Sequence, residues 1–114
     1  MQTNVGLARK AANEATDSGK IVIGTGQTAA DPTDLTLEAE IATVGRFAVL
    51  TATSAANVCT VVGVSPKMLA SQEVGEAGVL LTGDDTSMLS RSVFTPQTVG
   101  INIAAIVEVV TTFT

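Results

Sequence analysis

The spacing of apolar positions changes after the first 19 residues of the chain. Within residues 4–15, the apolar side chains recur at the spacing of one helix face: Leu7, Ala8, Ala11, Ala12 and Ala15. Thr3 can cap the N-terminus of this helix, and Asp17-Ser18-Gly19 can end it. Because most of its apolar residues are alanines, the helix would be marginal alone and needs a surface to dock on. The alternative is an extended arm that becomes ordered on a neighbouring molecule.

From residue 20 onwards, short runs rich in valine, isoleucine and threonine replace the helical pattern. They predict strands over residues 20–25, 47–53, 58–64, 78–82, 87–94 and 101–114. The run Gly-Asp-Asp-Thr at 83–86 lies between two of these strands and predicts a hairpin turn. Residues 101–114 alternate in polarity, so we expect one buried face, with Ile106 and Val110 as apolar exceptions on the outer face.

This arrangement of elements predicts the fold class. About six short strands separated by turns, with helix confined to the N-terminus, are typical of a β-sandwich. We therefore expect a mainly β, single-domain antiparallel β-sandwich or jelly-roll-like fold with a short N-terminal helix or arm. The 114 residues suit one domain with a single core. In this division, residues 1–19 form the helix or arm and residues 20–114 form the β-sandwich domain.

The segment IVIGTGQTA, residues 21–29, places a glycine loop directly after a strand. A dinucleotide-binding loop needs a third glycine and an immediate helix, but no third glycine follows, and the earliest helix start is Asp31. A P-loop needs a lysine, and none follows the loop before residue 67. The sequence therefore predicts that Gly24 and Gly26 serve a tight backbone turn, without a nucleotide.

A short helix is predicted to begin directly after this loop. Asp31 can cap it, Pro32 suits the first helical position, and Asp34 is favourable in the first turn. Its apolar contacts would come from three residues further on, namely Leu35, Leu37 and Ile41.

Charge limits the classes of partner. The formal net charge is −5, and the six basic residues are scattered: Arg9, Lys10, Lys20, Arg46, Lys67 and Arg91. Nucleic-acid binding needs a basic stripe, and binding to an anionic membrane surface needs a basic cluster, so we expect neither partner. Hydrophobic residues make up 46% of the chain and charged residues only 15%. This composition fits a surface that is partly buried against other subunits, and it fits a threonine-coated monomeric β-protein equally well.

Side chains that carry out catalysis are scarce. The chain has no histidine, and Cys59, its one cysteine, lies in an apolar run typical of a small core residue. The acidic pairs are Asp31/Asp34, Glu38/Glu40, Glu73/Glu76 and Asp84/Asp85. They could be calcium ligands or paired catalytic carboxylates, but their spacing matches no calcium loop, and caps, turns and solvated faces explain them more simply. We therefore expect no enzyme, and no catalytic residue, cofactor, metal or small-molecule substrate.

Two segments resemble blocks found in a family of small virion structural proteins of tailed bacteriophages. IGTGQTAADPTDLTLEAEI, residues 23–41, is similar to the family's "GTGTTAP…DTALEAEI" block. VGEAGVLLTGDDTSMLSRSVF, residues 74–94, resembles a later block of the form "TEAGLF…GGTMLARxVF". The two blocks occur in the family's order, and residues 101–114 fall where its last strand lies. Residues 42–72 match poorly.

The resemblance implies a protein that works by association. Such proteins are head-decoration (cement) proteins or tail-fibre proteins. The leading expectation is therefore a capsid decoration protein on the outer surface of the phage head, made in the host cytoplasm. Its partner would be the major capsid protein, and its own state a homotrimer, with the N-terminal segment as the arm that reaches a neighbour. The alternative is a structural protein of the tail fibre or baseplate.

One residue in the later block carries a separate prediction. Arg91 lies in an apolar strand, where an unpaired charge is costly. We therefore expect a carboxylate partner, with Glu76 across the hairpin as the best candidate. The alternative is an edge-strand arginine whose aliphatic stem lies along the protein surface.

Overall fold

The computed structural model describes residues 3–30 and 36–113, and it describes the backbone alone at residues 84–87. One helix and seven strands follow one another in this part of the chain. They are α1 (Asn4–Asp17), β1 (Ser18–Gly24), β2 (Phe47–Ala48), β3 (Thr51–Ala55), β4 (Val58–Val64), β5 (Gln72–Leu81), β6 (Asp84–Val99) and β7 (Ile106–Thr112).

The strands form two antiparallel sheets. The larger sheet has the order β2-β1-β5-β6, and the smaller has the order β3-β4-β7. Side chains from both sheets share one core, together with Met68 from the segment between β4 and β5. The buried strand residues of this core are Ile21, Ile23, Phe47, Cys59, Val61, Val74, Ala77, Val79, Val107 and Val109. The expected mainly β, antiparallel two-sheet fold with a short N-terminal helix is confirmed.

The N-terminal segment is a helix, as its periodicity indicates. The Thr3 side chain accepts a hydrogen bond from the Gly6 amide at 3.1 Å, which is the capping contact predicted for it. At the other end, the Ser18 amide donates to the Glu14 carbonyl, and β1 begins at once. The helix contacts β3 and β4 and buries Ala11 completely in the shared core. The smaller sheet thus provides the docking surface that so alanine-rich a helix needs.

The alternation in β4 and β7 decides which of their side chains enter the core. Cys59 and Val61 of β4 and Val107 and Val109 of β7 are buried, and their neighbours are more exposed. The prediction of a strand over 58–64 is confirmed, and so is the buried parity of the final strand from residue 106 onwards. Ile106 and Val110 are exposed, as expected of the outer face.

The predicted strand over 101–114 is wrong in its first five residues. This part is a turn and an irregular loop, in which Asn102 has a positive φ of 63°. Its backbone bonds to the segment after β4: Met68 donates to the Ile103 carbonyl, and Asn102 donates to the Met68 carbonyl. Ile101 and Ile103, which the alternation had assigned to the buried face, are exposed.

The predicted strand over 47–53 is split between the two sheets. Phe47 and Ala48 pair with β1, whereas Thr51 onwards pairs with β4. The chain therefore crosses from one sheet to the other at residues 49–50. The face that meets the core changes parity at this crossing: Phe47 and Val49 contact the core before it and Ala52 after it. Thr51 and Thr53, which share the sequence parity of Phe47, are exposed.

The predicted hairpin is present, with longer strands and a shorter turn than expected. β5 and β6 pair from Leu81↔Asp84 to Gln72↔Val99. Thr82 and Gly83 form the turn, and Gly83 has a φ of +79°, a conformation that favours glycine. The register shifts between Val74 and Glu76, so the ladder of this hairpin is interrupted there.

The segment after the glycine loop covers the outer face of the larger sheet. Leu37 packs with Val22 and Leu80 in a small second cluster on that face. The start of the predicted helix, with Asp31, Pro32, Asp34 and Leu35, lies outside the described residues. Residues 36–41 are not helical, and they run antiparallel to β1 through a bridge between Gly24 and Glu40.

Candidate functional site

The most highly connected side chain is the carboxylate of Glu76 on β5. Glu76 is completely buried. Its Oε1 accepts from the Glu38 amide and from Arg91 Nε, each at 2.9 Å. Its Oε2 accepts from the Gly26 amide at 2.6 Å and from the Ala39 amide at 2.9 Å. We call this group the Glu76 anchor. With four donors around two oxygens, the carboxylate has little capacity left for a metal or a substrate proton.

The ion pair within this anchor confirms the partner predicted for Arg91. The Arg91 side chain is only 4% exposed, and its Nε lies 2.9 Å from Glu76 Oε1. The alternative, an arginine stem lying along the protein surface, is therefore wrong. A buried pair of this kind is costly to desolvate, so the amides that also bind the carboxylate are needed to stabilise it.

The anchor keeps Glu76 ionised. Burial by itself would raise the pKa of Glu76, but the hydrogen bonds from the Ala39 amide, from Arg91 and from the Glu38 and Gly26 amides outweigh it. The net result is a lowered pKa. A carboxylate that holds its charge this firmly is a poor general acid or base near neutral pH.

The glycines of the loop make room for this carboxylate. Residues 24–27 form no turn, and neither Gly24 nor Gly26 has a positive φ, so the expectation that they serve a tight turn is wrong. A Cβ on Gly24 would lie 2.5 Å from the Ala39 carbonyl oxygen and 2.7 Å from Glu76 Oε2, and a Cβ on Gly26 would overlap the Glu76 carboxylate. The requirement at both positions is the absence of a side chain, which lets the backbone approach the carboxylate.

Gln27 makes a second connection between the loop and the hairpin. Its Nε2 donates to the Gly75 carbonyl at 2.9 Å and to the Phe94 carbonyl at 3.1 Å. These carbonyls lie where the β5–β6 register shifts. The side-chain amide therefore satisfies backbone groups that the irregular ladder leaves available.

Gly78 on β5 is also a position that has no room for a larger side chain. An added Cβ would lie 2.6 Å from Met88 Sδ and 3.2 Å from Leu37 Cδ2.

Glu38 and Glu40, which form one of the acidic pairs in the sequence, have ordinary structural roles. Glu38 accepts from the Gln27 amide at 2.9 Å and from the Thr28 hydroxyl, and Glu40 pairs with Arg46 at 3.3 Å near the surface. The expectation of caps, turns and solvated faces holds for these two residues and is wrong for Glu76. Asp31 and Asp34 lie outside the described residues, as do the side chains of Asp84 and Asp85. Within the described residues, no group of three or more metal-ligating side chains comes together.

A smaller polar group lies beneath α1. Cys59 is completely buried, and Glu14 of the helix is also buried. Burial, followed by the nearby Glu14 carboxylate, raises the pKa of the Cys59 thiol to about 12. The thiol is therefore protonated near neutral pH and is neither a nucleophile nor a metal ligand there. The prediction that Cys59 is a small core residue is confirmed.

An open groove runs between the edge strands of the two sheets. Its volume is about 370 Å³. The residues that line it are Val74, Phe94, Gln97, Val99, Ala105, Ile106, Val107 and Glu108. Most of this lining is apolar, and among the described residues that form it Glu108 is the charged one. No pattern in the sequence indicated the groove, because it depends on how the two sheets come together.

Exposed aliphatic side chains lie at the paired ends of β4 and β7 and on two loops that bond to each other beside them. They are Val64 and Ile106 on the strands, and Leu69, Ile101 and Ile103 on the loops. We call this set the apolar end. Large apolar side chains that cluster on a surface are typical of an interaction site. The groove and the apolar end share Ile106 and are therefore continuous.

Comparisons with known proteins add no assignment. In the part of the chain that the structure describes, the one helix is too short and too polar to cross a membrane. No protein-family model, curated protein or solved structure matches this chain.

Proposed function

We propose that this protein is a structural component of a tailed-bacteriophage particle, and specifically a capsid decoration (cement) protein. The observation that carries the proposal is the resemblance of residues 23–41 and 74–94 to two blocks of small phage virion proteins. The Glu76 anchor adds a physical reason for the two blocks to occur together. Amides of Gly26 and Ala39, from the first block, bind the carboxylate of Glu76, from the second.

The mechanism we propose is association alone. Many copies, as homotrimers, bind the major capsid protein on the outer face of the head and bridge neighbouring capsid subunits. The apolar end supports this role, because it offers exposed aliphatic surface that a partner can bury. The net charge of −5 suits a location outside the shell, where the protein does not touch the packaged genome.

The N-terminal segment needs a different test from a simple deletion. The helix α1 buries Ala11 and Glu14 against the smaller sheet, so removal of residues 1–19 would uncover the core and would also remove part of β1. If α1 contacts a neighbouring subunit, it does so through its exposed side. Replacing the exposed Val5 with Glu should then weaken attachment to heads while the fold is kept.

The deciding experiment is a count of copies per particle. Particles are purified from the organism that carries the gene, and the protein is quantified by mass spectrometry relative to the major capsid protein. A decoration protein should be present in hundreds of copies. A handful of copies would favour the alternative role in a tail fibre or baseplate. Absence from purified particles would overturn both assignments.

A further inference from the structure

The groove lies beside strand edges that have no partner strand among the described residues. β6 pairs only with β5, and β7 pairs only with β4. Each therefore presents backbone donors and acceptors along its other edge. β6 is the poorer template of the two, because Pro96 has no N–H to donate and the register shifts nearby. β7 has an uninterrupted register with β4 from Ile106 to Thr112, so it is the better template.

The lining of the groove defines the side chain that fits it. Aliphatic residues make up most of the surface, which suits a long apolar stem. Glu108 is the charged residue of the lining, and the chain as a whole carries −5, so a positive head group is favoured over a negative one. Phe94 and Gln97 add an aromatic ring and an amide, and both attract a cation. Lysine and arginine combine the required stem and charge.

We propose that the groove binds an extended segment of a partner protein, which adds as a strand beside the start of β7 and places a lysine or arginine side chain in the groove. Backbone hydrogen bonds to a strand edge supply affinity in this mode of recognition, and the pocket for the side chain supplies specificity. Ile106, which is 78% exposed, is covered by the bound segment. The inference deepens the proposed function, because it names the surface of this protein that binds a partner and the chemistry of the partner segment. It rests on the proposed function, in which the protein works by association.

The test uses the full-length protein and two synthetic pentapeptides with blocked ends. One is Val-Thr-Lys-Thr-Val and the other is Val-Thr-Glu-Thr-Val, so that the central residue and both valines face the same side when extended. Each is titrated into ¹⁵N-labelled protein, and backbone amide shifts are followed by NMR. We expect the lysine peptide to shift the amides of residues 94, 95, 97–99 and 106–109. The glutamate peptide should bind about tenfold more weakly, because attraction to Glu108 becomes repulsion.

Two matched variants test where the peptide binds. Ile106→Lys places a like charge at the groove and should abolish binding of the lysine peptide. Leu50→Lys makes the same change between β2 and β3, where Leu50 is 68% exposed, and should leave binding unchanged. Glu108→Gln should reduce the preference for the lysine peptide over the glutamate peptide to about twofold or less.

Several results would overturn the assignment. They are equal binding of the two peptides, shifts confined to residues outside the groove, absence of shifts at millimolar peptide, and binding that survives Ile106→Lys. Self-association of the wild-type protein that Ile106→Lys abolishes would also overturn it, because the groove would then hold a second copy of this chain.

Occupancy on phage heads separates failure of the groove assignment from failure of the proposed function. If the Ile106→Lys variant still occupies phage heads at full copy number, the groove assignment fails while the proposed function stands. If the wild-type protein is absent from particles but still binds the peptide, the proposed function fails while the groove assignment stands.

Discussion

The Glu76 anchor and the apolar end differ in how completely their groups are satisfied. At the anchor, a buried charge has four donors, and glycines remove every side chain that would obstruct it. At the apolar end, large aliphatic side chains lie in water, and two sheet edges pair with nothing in the described chain. The buried carboxylate therefore has little capacity left for a ligand, whereas the exposed aliphatic surface can still bury area against a partner. This surface, and not the carboxylate, is where we propose that a partner binds.

The largest effect is expected from changing the anchor itself. Glu76→Gln puts an amide N–H₂ where a carboxylate oxygen now accepts hydrogen bonds. Two donors then face each other, and the negative charge beside Arg91 is lost. We expect a loss of about 3–5 kcal/mol in the free energy of unfolding. Urea denaturation of the variant and the wild type measures it. Glu73→Gln, an exposed change on the same strand, is the control and should cost less than about 0.5 kcal/mol. Equal costs at the two positions would mean that the anchor is not stabilising.

A single methyl group in the loop should give the next largest effect. Gly26→Ala directs a Cβ at the Glu76 carboxylate, so the loop must withdraw from the hairpin. We expect a destabilisation of about 2 kcal/mol, measured by urea denaturation. Gly100→Ala is the matched control, because its Cβ would make only an ordinary contact, 3.4 Å from Ile103 Cδ1. A stabilised Gly26→Ala variant would show that the loop is not held in place by the carboxylate.

Acid should weaken the anchor progressively. The pKa of Glu76 is lowered in the folded protein from an ordinary value of 4.5. The anchor's contribution is therefore fully present above pH 4.5, and it is lost as pH falls through the lower folded-state pKa. We expect the stability difference between wild type and Glu76→Gln to be constant from pH 7 to about pH 5 and to shrink below that. Urea titrations at several pH values measure this difference. A gap that widened in acid would contradict the lowered pKa.

The smallest effect on stability is expected at the apolar end. Ile106 and Val107 are neighbours on β7, but Ile106 is exposed and Val107 is buried. Ile106→Lys should change the free energy of unfolding by no more than about 0.5 kcal/mol, whereas Val107→Ala should cost about 2 kcal/mol. Thermal or urea denaturation of both variants tests the contrast. A large cost for Ile106→Lys would mean that this surface supports the fold and is not held open for a partner.

Local pattern predicted the elements whose neighbours in space are also their neighbours in sequence. The capped helix α1, the strand β4 and the β5–β6 hairpin all follow from residue spacing and turn residues. The Arg91–Glu76 pair belongs to this group, because the hairpin itself brings the two residues together. The alternating pattern predicted one continuous strand at residues 47–53 and strand at residues 101–105, and it failed at both. Residues 47–53 cross from one sheet to the other, and residues 101–105 form a turn and a loop.

The sequence by itself determined that the chain is β-rich, that Thr3 can cap the N-terminal helix, that Arg91 needs a carboxylate and that reactive side chains are scarce. Each of these depends on residue type and short-range spacing. Only the tertiary structure decided that Gly24 and Gly26 make room for the carboxylate of Glu76, which lies 50 residues beyond Gly26, and that two sheet edges flank a groove. The reason is physical: close approach and open edges are properties of how segments distant in sequence pack together, and residue spacing along the chain does not record that packing.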